Sequence, residues 1–277
     1  MAQLSISRAW EETKARIASD GRLIAVVAAA LVVLPALVLG VVRPKGAEME
    51  ASLVAVCILL LSSLLALVGQ IAIIRLAIRP SVSVGEAIGH GFRRLPVYFV
   101  AGLIVAIGLI LVAIPLFVAL AASGVPLGQS DDAAMREALI QSPSAILLLL
   151  LFVAIAFFVG IRMLMSSPVA SEEPAGPVEI LKRSWRLTGG HWWRLFGFLI
   201  LFLIGAGIAM AAISWAVSLV AVMAFGPVAP MSLSALIVAL VDAIANGVVT
   251  VFLAVMLARI YVQLAGGESA SVPSSGT

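Results

Sequence analysis

Long apolar runs broken by short polar stretches set the pattern of this chain. The runs predict spanning helices at about residues 23–42, 51–74, 97–121, 144–164, 193–223 and 233–262. Ahead of the first, third and fifth runs lie segments of a different character. Residues 1–20 place Ile6, Ala9, Trp10, Thr13 and Ile17 on one helical face, opposite Arg8, Glu11, Glu12 and Lys14. After Pro80, Ser83 and Glu86 fit a capping box, and Val84, Ala87, Ile88, Gly91, Phe92 and Leu95 share a face. From Pro177 the run PVEILKRSWRLT is basic and amphipathic, breaks at Gly189 and Gly190, and re-enters as an apolar run behind Trp192 and Trp193. Each of the three reads as a helix at a membrane surface feeding a helix that enters the lipid.

These segments repeat. Aligning Trp10, Phe92 and Trp185 brings Ile6, Ile88 and Leu181 together four residues earlier, and the small residues Ala9, Gly91 and Ser184 one residue earlier. Two spans follow each segment, and the second closes on an arginine: Arg75, Arg162 or Arg259. Intervals of 65, 70 and 74 residues separate Trp10 from Arg75, Phe92 from Arg162 and Trp185 from Arg259. Three units, about 1–77, 78–165 and 166–265, therefore make one all-α membrane domain over 1–265, with the tail 266–277 expected to be disordered. Such units can pack with approximate threefold symmetry. Pro35 is expected to kink the first span, a short capped helix is expected after Ser130, and residues 166–176 read as a connecting loop.

Composition agrees with membrane burial: 63% of the residues are hydrophobic, 11% are charged and the mean hydropathy is +1.21. Once six spans are placed, no room is left for a separate soluble domain of ordinary size. Charge then orients the chain. Of seventeen Lys and Arg residues, only Arg43, Lys45 and Arg136 fall on the side away from the amino terminus. That asymmetry predicts both termini in the cytoplasm of a bacterial inner membrane.

Candidate chemistry is sparse. Arg93, Arg94, Lys182, Arg183 and Arg186 suit anionic lipid headgroups, with Trp10, Phe92, Trp185, Trp192 and Trp193 as interfacial anchors. The same basic residues are also what the flanks of any such membrane protein carry. Arg75, Arg162 and Arg259 either converge on a lipid phosphate or anionic substrate, or each snorkels from a helix end and neutralises the last carbonyls. Asp242 and Asn246 lie four apart in the last span, beside a small-residue ridge of Ala239, Ala243 and Gly247. They read as a proton or cation site, or as a helix contact to Ser62, Ser63 or Gln70. His90 and His191 have no carboxylates at metal-ligand spacing, there is one cysteine, Cys57, and no nucleotide-binding loop or hydrolase elbow is present. No cofactor, metal or nucleic-acid partner is expected. The expected partners are membrane lipids, anionic ones in particular.

The run LKRSWRLTGGHWWRLFGF, residues 181–198, resembles the membrane domain associated with bacterial glycerophosphoryl diester phosphodiesterases. That family shows an A-L-K-R-S-W-x-L-T-x-G-x-x-W-R-L-like run after a span ending in Arg and a Pro-containing loop. Lys182, Arg183, Ser184, Trp185, Leu187, Thr188, Gly190, Trp193, Arg194 and Leu195 match it, with Arg162 and Pro168 ahead of them. The resemblance implies a six-span membrane setting. Because few residues follow the last span, a stand-alone membrane domain without the catalytic barrel is expected. The sequence thus reads as a non-enzymatic membrane protein with a lipid-associated accessory or membrane-organising role. The alternatives are a small transporter or channel built around Asp242 and Asn246, and a membrane-embedded lipid hydrolase, for which no convergent site is visible.

Overall fold

The computed structural model describes residues 4–42, 53–79, 81–122 and 142–271, all helix and turn with no strand among them. Helix α1 (Ile6–Ala28) runs through a π turn (Ala29–Val33) into α2 (Leu34–Val42). Then follow α3 (Leu53–Ile78), α4 (Val84–Ala122), α5 (Pro143–Arg162), α6 (Ser166–Glu172), α7 (Pro177–Thr188), α8 (Trp192–Phe225) and α9 (Leu233–Ser271). Six segments are long and apolar enough to cross a membrane: Ile6–Val42, Val56–Ile78, Val84–Ala119, Pro143–Glu172, Trp192–Phe225 and Leu233–Gly266. The chain is an all-α polytopic protein.

Local chemistry explains the helix ends. The Ser83 amide donates to Glu86 Oε2 at 2.9 Å while the Glu86 amide donates to Ser83 Oγ at 3.3 Å, the reciprocal box expected at the start of α4. Pro35 has no N–H to give the carbonyl of Leu31, and the helix loosens into the π turn just before it. Two expected breaks are absent. The polar residues 6–20 and the first span form one continuous helix, and α4 passes through Pro96. A proline removes one backbone bond, which a long helix packed on both sides of it tolerates. Only the third surface segment, α7, is separated from its span, by the turn at residues 189–191. The carboxy-terminal helix also continues past residue 266 to Ser271, where an irregular tail was expected. The helix expected after Ser130 and the residues Arg43, Lys45 and Arg136 lie outside the described residues.

Packing is uneven along the bundle. One buried cluster joins Ile24, Val27, Leu31 and Val32 to Val68 and Ile73 of α3 and to Val255 and Ala258 of α9. A second joins Ile161, Met165, Val169, Ile180, Leu195, Met256 and Ile260. Both lie toward the end that carries Arg75, Arg162 and Arg259, called here the basic end. Elsewhere α4, α5 and α8 bury 6%, 11% and 6% of their most apolar stretches, against 33% for the first two spans. Their outward residues, such as Leu111, Leu147, Leu201 and Val220, are exposed. Bilayer hydrocarbon suits that surface, since lipid tails are as apolar as leucine.

Small residues set the closest helix crossings. A Cβ on Gly247 would lie 2.6 Å from Val33 Cγ2, and one on Gly40 2.8 Å from the Ala239 Cβ. The ridge Ala239, Ala243 and Gly247 is buried accordingly, against α2 and the π turn. A Cβ on Gly91 would meet the carbonyl oxygen of Val68 at 2.8 Å, so α4 rides on the backbone of α3.

The three surface segments share a packing order. The segment at Phe92 lies on α3, the second span of the first unit, through Gly91 and Val68. The segment at Trp185 lies on α5, the second span of the next unit: Ser184 Oγ donates to the Arg162 carbonyl at 2.7 Å, and the Trp185 ring meets Phe158 at 5.9 Å. The amino-terminal segment closes the circuit on α9, the second span of the last unit, through Trp10 and Phe252 at 4.7 Å and Thr13 Oγ1 and Met256 Sδ at 3.5 Å. The second spans do not form a matching threefold centre. Helices α3 and α9 pack together at length, whereas α5 packs against α4, α7 and α8.

Candidate functional site

Two polar centres stand out, one at each end of the bundle. The first is built on α6. Although only seven residues long, α6 is the most enclosed element: Ser167, Pro168, Val169, Ala170 and Ser171 are all buried. Pro174 forces Glu173 into extended backbone, which ends the helix and leaves its last carbonyls seeking donors. Arg94 supplies them, donating from Nε to the Ala170 carbonyl at 2.7 Å and from Nη2 to the carbonyls of Glu173 and Ala175. His90 Nε2 donates to the Ser171 carbonyl at 2.7 Å. Ser171 Oγ in turn donates to the Ile71 carbonyl at 3.3 Å, and Gln70 Nε2 donates to Ser167 Oγ at 3.4 Å.

Two adjacent carboxylates then tie α6 to the rest of the bundle. Glu172, whose side chain is 7% exposed, receives Arg75 Nη1 on Oε1 and Arg79 Nε on Oε2, each at 2.9 Å. Glu173 Oε1 receives Arg183 Nε at 3.0 Å and the Tyr261 hydroxyl at 2.9 Å. Helices α3, α4, α7 and α9 thus all send a polar side chain to one short helix. Enclosed charge in this setting is tolerable because each carboxylate has both cationic and hydrogen-bonding partners.

The recurrent arginines do not converge. Arg75 reaches Glu172. Arg162 Nη1 donates to the Trp185 carbonyl at 3.2 Å and its guanidinium lies 4.9 Å from the Trp185 ring centre, a close approach that Gly189 permits by having no side chain. Arg259 Nη2 donates to the Ala77 carbonyl at 2.6 Å, beside Arg16 Nη2, which takes the Leu76 carbonyl at 2.7 Å. Those two guanidiniums complement the carboxy-terminal carbonyls of α3, a neighbour's helix end in place of their own.

Among the basic surface candidates, Arg94 and Arg183 are therefore engaged inside the α6 centre, whereas Arg93, Lys182 and Arg186 are exposed. Trp10, Phe92 and Trp185 are 42%, 49% and 43% exposed, and Trp193 is 76% exposed. Trp192 is different: its ring stacks on Phe196 at 5.1 Å and tilts onto Phe158 at 5.7 Å, within an internal aromatic cluster.

The second centre lies near the opposite end. Asp242 and Asn246 line a cavity of about 620 Å³ with Ser214 and Ser218 of α8 and Ala36, Leu39 and Gly40 of α2. Ser214 Oγ donates to Asp242 Oδ2 at 3.3 Å. The contacts considered from sequence go elsewhere: Ser62 to the Pro35 carbonyl, Ser63 to the Leu59 carbonyl and Gln70 to Ser167. The turn between α8 and α9 is pinned beside this cavity, with the Met231 amide donating to the Val41 carbonyl at 3.1 Å. Gly226 adopts φ +84°, a backbone state that favours glycine, and so lets α8 end there.

Glu172, Glu173 and Arg94 carry the first centre, and only Arg94 was singled out from sequence. The usable signal was Glu172 and Glu173 side by side between Pro168 and Pro174, in a chain with fourteen acidic residues in all. Among the described residues no three of His, Cys, Asp and Glu gather as a metal ion would require.

No curated protein and no solved structure matches the chain. Residues 4–264, which take in every helix but the end of α9, match the model of the family described as Domain of unknown function (DUF7847), and the chain belongs to that family.

Proposed function

We propose that the protein is a non-enzymatic integral membrane protein whose basic end engages anionic lipid headgroups, in a bacterial cytoplasmic membrane with that end and both termini on the cytoplasmic side. One observation carries this reading. Trp10, Phe92 and Trp185 are exposed to nearly the same degree, the residue before each (Ala9, Gly91 and Ser184) is buried, and Arg8, Arg93 and Arg186 stand beside them. An aromatic ring at headgroup depth beside a cation is what an anionic leaflet attracts. The role falls to Arg93, Lys182 and Arg186 in particular, because they are exposed whereas Arg75, Arg94, Arg162, Arg183 and Arg259 are half-buried.

Each such cation contributes about 1 kcal/mol near an anionic surface. Replacing Arg93, Lys182 and Arg186 together by Glu is therefore expected to lower retention of anionic lipid about a hundredfold. Native mass spectrometry of protein exchanged between phosphatidylglycerol and phosphatidylcholine nanodiscs measures it, and unchanged retention contradicts the proposal.

A second reading, passage of a small solute, is favoured by the Asp242 cavity at one end and the tied α6 at the other. Flux into liposomes that Asp242→Asn abolishes is expected under it; solute-independent behaviour of both forms counts against it. The lipid-hydrolase reading has less support, because Glu172, Glu173 and His90 are each occupied by Arg75, Arg183 or the Ser171 carbonyl. The likeness of residues 181–198 to the phosphodiesterase membrane domain is read as a shared architecture. A structure of that domain with its matching run placed differently from α7 and the start of α8 would remove it.

A further inference from the structure

The Asp242 cavity is lined by polar and aliphatic side chains together. Its polar lining is made by pairs four residues apart, Ser214 and Ser218 on α8 and Asp242 and Asn246 on α9, so that each pair shares a helical face. Met210, one turn before Ser214, and Val238, one turn before Asp242, continue those same faces with aliphatic surface, and Leu39 of α2 adds to it. Among the described lining residues Asp242 is the one ionisable side chain. From the first residue of α9 to Asp242 is about 14 Å along the helix at ~1.5 Å per residue, which puts the carboxylate well inside the apolar span.

The cavity also continues sideways. A shallower groove of about 350 Å³ on α8 shares Met210, Ser214 and Ser218 with it and adds Ala211 and Trp215. Trp215 is 74% exposed on the lipid-facing side of that helix. The same serines therefore border both the interior space and the flank of the bundle.

We propose that this cavity binds an amphipathic primary amine, its ammonium head against Asp242 and Ser218 and its apolar body on the aliphatic lining of Leu39, Met210 and Val238. A carboxylate accepts hydrogen bonds, a serine hydroxyl accepts as well, and an ammonium offers three donors to such a set. Charge-assisted bonds of this kind are about twice as strong as neutral ones, and more so where water is thin. An anionic head would meet Asp242 as a like charge. The side opening admits a molecule that already resides in the bilayer, and the volume accommodates a head with part of its chain. This assignment is independent of lipid binding at the basic end, and holds whether or not the bound molecule crosses the bundle.

The test uses the full chain in phosphatidylcholine nanodiscs, following its thermal unfolding midpoint during titration with dodecylamine and, separately, dodecanoic acid. Dodecylamine is expected to raise the midpoint saturably and dodecanoic acid to leave it unchanged. Asp242→Asn is expected to weaken the apparent affinity for dodecylamine at least tenfold. If Asp242→Asn does not fold, Ser218→Ala is titrated instead, with a severalfold weakening expected. Equal stabilisation by the acid overturns the proposal, as does affinity that either variant leaves within twofold of the parent. Competition by phosphatidylethanolamine placed in the disc assigns the amine to a membrane lipid, and competition by free ethanolamine assigns it to a soluble source.

Discussion

Glu172 offers the sharpest perturbation of the packed end. Its side chain is 7% exposed and bridges Arg75, 20% exposed, to Arg79, 53% exposed. Removing one partner of a buried ion pair costs about 3–5 kcal/mol, because the other charge is left without its counterion, while a solvent-exposed pair contributes about 0–1 kcal/mol. Glu172→Ala strands Arg75 in a mostly enclosed position, so a loss near the lower bound, about 3 kcal/mol, is expected. Glu172→Gln keeps the shape and one acceptor, and about half that loss is expected. Arg79→Ala removes the exposed arm alone and is expected to cost less than about 1 kcal/mol. Arg75→Ala leaves Glu172 its second arginine, so the double variant Glu172→Ala/Arg75→Ala should fall short of the sum of the singles by at least about 1 kcal/mol. Unfolding in mixed micelles of rising dodecyl sulfate fraction, followed by tryptophan fluorescence, supplies the four stabilities. Strict additivity, or a Glu172→Ala stability within about 0.5 kcal/mol of the parent, would refute the assignment of α6 as the tie at this end.

Two further substitutions probe the same packing by different physics. Gly91→Ala places a Cβ 2.8 Å from the Val68 carbonyl oxygen, a backbone atom that cannot rotate away, and about 1–3 kcal/mol of destabilisation is expected in the same unfolding assay. Gly102→Ala, with nothing within 4 Å of its Cβ, serves as the neutral comparison and should hold or slightly raise stability. Arg94→Lys keeps the charge but gives up the planar fork that reaches three carbonyls, and about 2 kcal/mol is expected to be lost, with faster proteolysis between α5 and α7 as a local readout.

Much of the architecture was legible because membrane burial writes a coarse signal. Six apolar runs gave six crossing helices, although the first and third begin well ahead of the residues expected, at Ile6 and Val84, and the Ser83–Glu86 box formed as its spacing implied. The register of the surface segments was legible in Ala9, Gly91 and Ser184, small residues that are buried at the contacts. What failed to show was whatever depends on partners distant along the chain. Helix α6 is too short and too rich in Ser, Glu and Pro to look like an interior element, and its enclosure comes from Arg75, Arg94 and Tyr261, 97, 76 and 88 residues from the groups they bind. Arg75, Arg162 and Arg259 recur at one sequence position yet meet a carboxylate, an indole ring and a helix end, since each neighbouring surface differs. Asp242 found Ser214 in the adjacent span, a choice that helix rotation decides and periodicity leaves open. The continuity of α1 and α4 is not legible for a simpler reason. A change from polar to apolar faces looks like a change of helix in the sequence, and backbone bonding does not require one.

One measurement bears on the whole arrangement most directly: the side of the membrane from which each surface segment can be reached. In a Cys57→Ser background, single cysteines at Arg8, Arg93 and Lys182 are treated with a membrane-impermeant maleimide in sealed vesicles of either orientation, with Ser232→Cys at the α8–α9 turn as the opposite marker. The three are expected to label together from one side, and Ser232→Cys from the other alone. Labelling of any of the three in company with Ser232→Cys would contradict a bundle whose basic segments share one face of the membrane.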